Sequence, residues 1–302
     1  MEQDKAITIV DRFEVNTIVW LRSLPEAEVG PSRRMTEDLE ALALTGAFAF
    51  EVVDVSDRAT MLNALAAIAT RCAGGLRPIL QFDCHGSAED GLALAPSGEY
   101  LAWDALAAAL RPLNVASANN TCCIFGVCFG LHLSLSLRLS LPSPYFLTIA
   151  PEREVTVGEL LDRLAPFYAR LYETGNITQA YKEHLAPALS VFYCTKVLAQ
   201  AFATYIVNHA SGAGAAARRE DMLTRALEAG NSPAQIAALR KRLKEALRPT
   251  QTQLDHFANS FLIGRKPGFG IDEVERLATG MRRRREDVRR HADRRDKLMR
   301  GR

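Results

Sequence analysis

Two residues that are far apart in the sequence, a histidine and a cysteine, carry the side chains best suited to covalent chemistry. His85 ends the apolar run ILQFDCH, and Cys128 ends a second apolar run, CCIFGVC. A thiol with a reference pKa of about 8.5 is mostly protonated at neutral pH, and a nearby imidazole makes the thiolate available. These residue types indicate nucleophilic catalysis, provided that the fold brings them together.

Buried parallel strands are predicted to position both residues. Each apolar run is continuous rather than alternating and is bounded by turn residues, which is typical of such strands. The same pattern predicts strands at residues 16–21, 47–55, 78–84, 121–128 and 145–150, with helices between them. Because the carboxyl ends of neighbouring parallel strands share one edge of the sheet, His85 and Cys128 can meet there. The predicted fold class is therefore α/β, a mostly parallel sheet flanked by helices, with a helical C-terminal portion.

Helix and turn signals set the remaining elements. A loop is predicted over PEAEVGPSRR, before a helix capped by Thr36, and Ser56 and Asp57 cap the next helix. Residues 87–100 carry the turn signals of a loop or small hairpin, and residues 256–270 are predicted to form a last short strand or a return segment. A helix is expected to follow Cys128, and a helix N-terminus favours the thiolate.

The ordered segments ILQFDCHGSAEDGLAL, YLAWDALAAALRPLN and CCIFGVCFG resemble the caspase-like cysteine peptidases of clan CD, in particular the bacterial CHAT group, which are relatives of separase. The resemblance covers about residues 17–175 and implies a caspase-like sheet. It also implies that His85 is the base, that Cys128 is the nucleophile, and that the backbone N–H groups of Gly86 and Cys128 form the oxyanion hole. By the same resemblance, residues 87–100 and 151–157 border the substrate cleft.

Other polar residues near the pair have two readings each. Gln81, Asp83 and His85 share one side of their strand, so Asp83 is placed to orient a neighbouring group near the site. The alternative is that Asp83 caps the end of the strand or a loop by hydrogen bonds. His132 follows Cys128 by four positions and is expected either to support the site residues from behind or to lie on the helix surface. It is not expected to be half of a metal site, because no further ligand cluster accompanies it. Some relatives prefer basic substrates through an acid just before the cysteine; here Phe125, Gly126 and Val127 stand there, which leaves Asp90 or Asp104 as alternatives.

Composition and charge divide the chain into three parts. Apolar residues make up 48% of the sequence, ample for a core, and no apolar run is long enough to span a membrane. Residues 281–302 hold eleven Arg or Lys and four Asp or Glu, a net +7 against +2 for the whole chain. We predict a peptidase domain at 1–175, a helical extension packing on it at 176–272, and a basic tail at 273–302, which is an exposed helix or disordered.

The expected function is cleavage of a protein or peptide substrate by a cysteine endopeptidase, without metal or organic cofactor, in the cytoplasm and away from membranes. By resemblance it is a conditionally activated bacterial effector, for example in antiviral defence, and such proteins are commonly held inactive by loops that order only on activation. A regulatory protein is a candidate partner. Two alternatives stay open. One is a catalytically inactive caspase-like binding or scaffold protein; the other is a nucleic-acid-associated regulator that acts through the basic tail.

Overall fold

A mostly parallel sheet forms the first of two structural units. The computed structural model describes residues 12–44 and 46–300. The strands run in the order β2–β1–β3–β6–β7–β8, with a β4–β5 hairpin attached to β3. Only β8 is antiparallel to its neighbour among the six strands of this order. The strands are β1 (Thr17–Ser23), β2 (Ala49–Asp54), β3 (Pro78–Ser87), β4 (Gly91–Ala93), β5 (Tyr100–Leu101), β6 (Cys122–Gly126), β7 (Leu147–Ala150) and β8 (Ser190–Tyr193).

The central strands are buried on both faces, as their unbroken apolar sequences predict. Every residue of β6 is buried, and so are the first five of β3. Phe82 of β3 is the register partner of Phe125 of β6, and their rings stack with centroids 4.6 Å apart and planes within 4°. This pair fixes the register of the two strands just before their carboxyl ends.

Helices cover both faces of the sheet. On one face, α2 (Arg58–Ala73) and α3 (Trp103–Ala116) pack over the side chains of Leu80 and Phe82. On the other face lie α1 (Val29–Ala43) and α4 (Val157–Thr174), and the Tyr168 hydroxyl of α4 donates to the buried Gln81 of β3 at 2.7 Å. The α/β fold class predicted from the sequence is confirmed.

Two helix starts show where local sequence signals succeed and fail. Asp57 caps α2 through a reciprocal pair of hydrogen bonds with Thr60, as predicted. The loop predicted before Thr36 is wrong, because a 3₁₀ turn at Glu26–Glu28 leads into α1 at Val29. Pro31 lies in the first turn of α1, where proline costs no intrahelical hydrogen bond, so it does not delay the helix.

The hairpin predicted within residues 87–100 is confirmed, with β4 pairing to both β3 and β5.

Farther on, α4 contains Pro166 between the cavity-facing Leu164 and the fully buried Phe167. The helix continues through this proline to Thr174 and ends at Gly175, whose positive φ of 63° suits a helix C-terminus.

By their contacts, the described residues group into two compact units, one at 12–194 with 259–265 and one at 195–258 with 266–300. The first unit extends past residue 175, where the helical portion was predicted to begin, because β8 adds the last strand to the sheet beside β7. Between α4 and β8 lie the short helix α5 (Ile177–Ala180) and a π-helical turn at Tyr181–Leu185.

The remaining helices follow β8 in the sequence. They are α6 (Cys194–Tyr205), α7 (Gly212–Glu228), α8 (Pro233–Ala246), α9 (Gln251–Phe261) and α10 (Ile271–Arg300). Of the two readings of residues 256–270, the strand is wrong, because the first part of that segment completes α9. The return segment is correct for residues 259–265, which group with the sheet unit. The basic tail is helical up to residue 300, and its binding to a phosphate backbone stays a prediction. No helix in the described part of the chain combines the length and apolar character needed to cross a membrane.

Candidate active site

His85 and Cys128 lie at the same carboxyl edge of the sheet and line one cavity. The last register pair of β3 and β6 is Asp83 with Gly126, and each of the two residues lies two positions beyond its strand's member of that pair. His85 and Cys128 also line the same cavity. The structure thus brings together the two residues that the sequence singles out.

Gly86 brings the end of β3 into close contact with the turn that carries Cys128. A Cβ atom at this position would lie 2.4 Å from the Cys128 carbonyl oxygen and 2.4 Å from the Val127 Cγ1 atom. Both distances are far below van der Waals contact, and the carbonyl belongs to the backbone, which cannot turn aside as a side chain can. Only glycine therefore allows the histidine strand to pass this close to the cysteine turn.

Gly86→Ala is expected to separate the two strand ends, lower the free energy of unfolding by about 1–3 kcal/mol through overpacking, and greatly reduce the reactivity of Cys128 toward peptide electrophiles. Urea unfolding and the rate of covalent labelling measure the two effects. The matched control is Gly158→Ala in α4, where a Cβ has no atom within 4 Å and alanine favours the helix. Equal effects of the two substitutions would contradict this account of Gly86.

The Cys128 thiol is half-buried and contacts the loop between β7 and α4. Its Sγ atom lies 3.5 Å from the Val155 carbonyl oxygen and 3.4 Å from the Val155 backbone nitrogen. The backbone N–H groups of Phe129 and Leu131 donate to carbonyls of Arg153 and Pro151 at 3.2 and 3.1 Å. The loop is thus held against the turn that carries the thiol, and Val155 and Val157 line the cavity.

A helix follows Cys128, as predicted, but it is a short 3₁₀ helix at Gly130–Ser136. Phe129 precedes it with a left-handed backbone, with φ of 58°. A Cβ at Gly130 would lie 2.6 Å from the Phe125 Cβ atom, so the chain folds back tightly over the end of β6. Because the 3₁₀ helix begins two residues beyond Cys128, the thiol does not lie at the N-terminus of an α-helix.

A carboxylate holds the His85 ring. The Nε2 atom of His85 lies 2.8 Å from Glu28 Oε2, and both side chains are about half exposed, at 51% and 43%. Glu28 ends the 3₁₀ turn before α1. A carboxylate on one ring nitrogen fixes the orientation of the imidazole and leaves the other nitrogen for proton transfer, which is the arrangement of a base oriented by a third group.

Asp83 connects three elements beneath this pair. Its Oδ2 atom accepts hydrogen bonds from Trp20 Nε1 of β1, at 2.8 Å, and from the Ser32 hydroxyl of α1. Burial raises the pKa of Asp83 above its usual value, while the two hydrogen bonds act in the opposite direction. Asp83 also lines the same cavity as Cys128. It therefore joins neighbouring elements by hydrogen bonds and is part of the candidate site.

His132 lies outside the cavity lining. Its Nδ1 atom is 2.9 Å from the Ala88 carbonyl oxygen, and its ring meets that of Phe129 edge to face at 5.7 Å. These contacts tie the turn after Cys128 to the chain that leaves β3. Across the described residues, no group of three or more His, Cys, Asp or Glu side chains is arranged to hold a metal ion.

Most side chains that line the cavity are apolar, and two are carboxylates: Glu28 at the exposed end and Asp83 farther inside. It contains about 90 Å³ of space open to water, several times the roughly 10–15 Å³ that one water needs on this measure. Its polar lining comes from Glu28, Ser32, Asp83, His85 and Cys128. Its apolar lining comes mainly from β1 and its following loop, α1, the β7–α4 loop and α4: Trp20, Leu24, Pro31, Met35, Val155, Val157, Leu160, Leu161 and Leu164.

Sequence reasoning did not find Glu28, Ser32 or Trp20 as site residues. Glu28 and Ser32 stand in the stretch predicted as a loop, and Trp20 lies inside a predicted strand with no mark of function. The parallel arrangement of the strands could have indicated these residues. Because β1 and β3 end at the same edge of the sheet, side chains of β1 and of the segment after it lie near those of β3. Asp90 and Asp104, the alternative acids, do not line the cavity.

The geometry defines an α/β protein that presents a histidine and a cysteine together at the carboxyl edge of a parallel sheet. Comparison with known proteins adds no family to this description, because no family model and no curated protein matches the chain.

Proposed function

We propose that this protein is a cysteine endopeptidase of the caspase-like kind, with His85 and Cys128 as its catalytic pair. The observation that supports the proposal is the register of β3 and β6, by which His85 and Cys128 follow two strands that end at one edge of the sheet, where both residues line the same cavity. The ordered sequence segments that resemble the CHAT group support the same assignment.

The proposed reaction is acyl transfer. His85 takes the thiol proton, the Cys128 sulfur attacks the scissile carbonyl, and His85 returns the proton to the leaving amine; water then releases the acyl group. The backbone N–H groups of Gly86 and Cys128 are the proposed donors to the developing oxyanion. Glu28 keeps the imidazole oriented, as its 2.8 Å contact with Nε2 allows. This chemistry uses no metal or organic cofactor.

The test is covalent labelling by peptidyl acyloxymethyl ketones that carry Arg, citrulline, Leu or Asp at the first position, followed by peptide mapping. The expected result is modification of Cys128 alone. The other five cysteines are buried, and burial raises the pKa of the thiols of Cys72, Cys84, Cys122 and Cys123 above the ordinary value. If iodoacetamide modifies Cys128 while no peptide probe does, the thiol is accessible but the peptidase assignment fails.

A second candidate function, a caspase-like binding protein without catalysis, is favoured by one observation. The Cys128 thiol contacts the Val155 backbone, at 3.5 Å from its carbonyl oxygen. In a peptidase this contact is released when a substrate or peptide probe binds. In a scaffold it persists, and peptide probes then leave Cys128 unmodified.

A further inference from the structure

We propose that the cavity beside Cys128 recognises a long basic side chain, arginine or lysine, on the residue whose carbonyl Cys128 attacks, and that Asp83 is its charge partner. This inference rests on the proposed peptidase function and adds to it the class of substrate. It stands on the position of Asp83, on the unused capacity of its carboxylate, and on the shape of the cavity.

Asp83 lies at the right depth for a long side chain. Its register partner on β6 is Gly126, two residues before Cys128. At about 3.3 Å per residue along a strand, the Asp83 level is roughly 7 Å from the nucleophile. Short side chains attached next to the scissile carbonyl do not reach this level, whereas the extended side chains of arginine and lysine do.

The Asp83 carboxylate has one oxygen available to a ligand. Both hydrogen bonds that it accepts, from Trp20 and Ser32, go to Oδ2. Within the described part of the chain Oδ1 accepts none. The Arg22 guanidinium, which acts electrostatically on Asp83, pairs with Asp54 at 2.7 Å. A guanidinium or ammonium group in the cavity would complete the bonding of this acid.

The chain loses stability by keeping this carboxylate. Burial raises the pKa of Asp83, so above its ordinary titration range the ionised form is disfavoured in the folded state. For a pKa raised on folding, the free energy of unfolding falls as pH rises from the unfolded to the folded pKa. A buried acid that destabilises the fold and faces a cavity is typical of a functional site.

The rest of the cavity matches an aliphatic stem. Leu160, Leu161 and Leu164 of α4 and Met35 of α1 line it. Arginine and lysine bury their methylene groups against such walls and place only the charged end on a polar partner. Gly126 also lines the cavity on the β6 side, where a Cβ would lie 3.2 Å from Gln81 Nε2, so a larger residue there would crowd the Gln81 side chain.

The cavity also has a direction that fits this substrate. Exposure falls from the half-exposed side chains of His85 and Glu28 to Trp20 and Leu164, which are 1% and 3% exposed. A substrate residue whose carbonyl lies at Cys128 therefore enters from the exposed end, and its side chain points toward the buried end, where Asp83 bonds to Trp20.

The experiment compares acyloxymethyl ketone probes that carry arginine or citrulline at the first position. The two side chains have nearly the same shape, and only arginine is charged. The wild-type protein is expected to label at Cys128 roughly 10- to 100-fold faster with the arginine probe, the range expected for one charge-assisted hydrogen-bonded contact. Asp83→Asn is expected to bring this rate ratio close to one.

The asparagine variant preserves the local structure, because its amide oxygen accepts the bonds from Trp20 and Ser32 and its neutral side chain removes the buried charge. Its midpoint of thermal unfolding at pH 7 is expected to equal or exceed that of the wild type. The control is Asp104→Asn, which removes an exposed acid outside the cavity and should retain the full arginine preference.

The outcomes separate this inference from the function on which it rests. Equal labelling of wild-type Cys128 by both probes overturns the basic-pocket assignment while the peptidase proposal stands. An arginine preference that persists in Asp83→Asn overturns the role of Asp83. If no peptide probe in the panel labels Cys128, the proposed function fails and this inference fails with it.

Discussion

Cys128→Ala is expected to lose all covalent labelling by peptide electrophiles and all hydrolysis of any peptide that the wild type cleaves. Alanine has no sulfur to form the acyl intermediate. His85→Ala retains the nucleophile but loses the base, so its rate is expected to fall by roughly 10²- to 10⁴-fold. Mass spectrometry of the labelled protein and a fluorogenic peptide assay measure the two losses.

Matched controls come from the same residue types. Cys72→Ala removes a buried thiol of α2, whose pKa burial raises to about 11, and should leave labelling unchanged. His132→Asn removes an imidazole that contacts the Ala88 carbonyl away from the cavity and should retain most of the activity. Labelling that survives Cys128→Ala, or that depends on His132 as strongly as on His85, would show that the catalytic pair is misassigned.

Trp20→Ala is expected to cause the largest loss of stability, about 3–5 kcal/mol in the free energy of unfolding. Trp20 is 1% exposed and packs against Phe50 and Tyr168, with ring centroids 6.3 and 6.0 Å away. The substitution leaves a large cavity and also removes the indole N–H that donates to Asp83. Urea unfolding followed by circular dichroism measures the effect.

Trp20→Phe divides this loss into its two sources. Phenylalanine keeps most of the packing and removes the hydrogen bond, so the expected loss is about 1.5–3 kcal/mol, the range for a hydrogen bond to a charged group. Removing this donor is also expected to raise the pKa of Asp83 further, because the hydrogen bond favours the charged form. A Trp20→Ala variant that loses less than Trp20→Phe would contradict the packing argument.

The parallel strands were predictable because their chemistry is local. A continuous run such as Ile79, Leu80 and Phe82 excludes water on both faces, and a turn residue must follow. The same reasoning placed His85 and Cys128 on one edge of the sheet, since parallel strands end together. The sequence pattern therefore predicted the fold class and the sheet edge that the two residues share, without any information on the side chains around them.

The surroundings were not predictable because they depend on distant elements. Asp83 accepts hydrogen bonds from Trp20 of β1 and Ser32 of α1. Glu28, which contacts His85, lies in a segment predicted as a loop. The failed strand at residues 256–270 has a different cause. Phe257, Phe261 and Leu262 form a short apolar set that periodicity alone does not assign to helix or strand, and in the fold it ends a helix.

Pro166 divides α4 into two parts with different mechanical roles. Because proline has no backbone N–H, the carbonyl of Asp162 has no intrahelical donor one turn later, and the ladder of hydrogen bonds is interrupted between Leu164 and Phe167. The first two turns form a wall of the cavity, while the later turns anchor the helix through Phe167 and Tyr168 in the core. Any bending of α4 is therefore expected at Pro166, where it would move the cavity wall and leave the later turns anchored in the core.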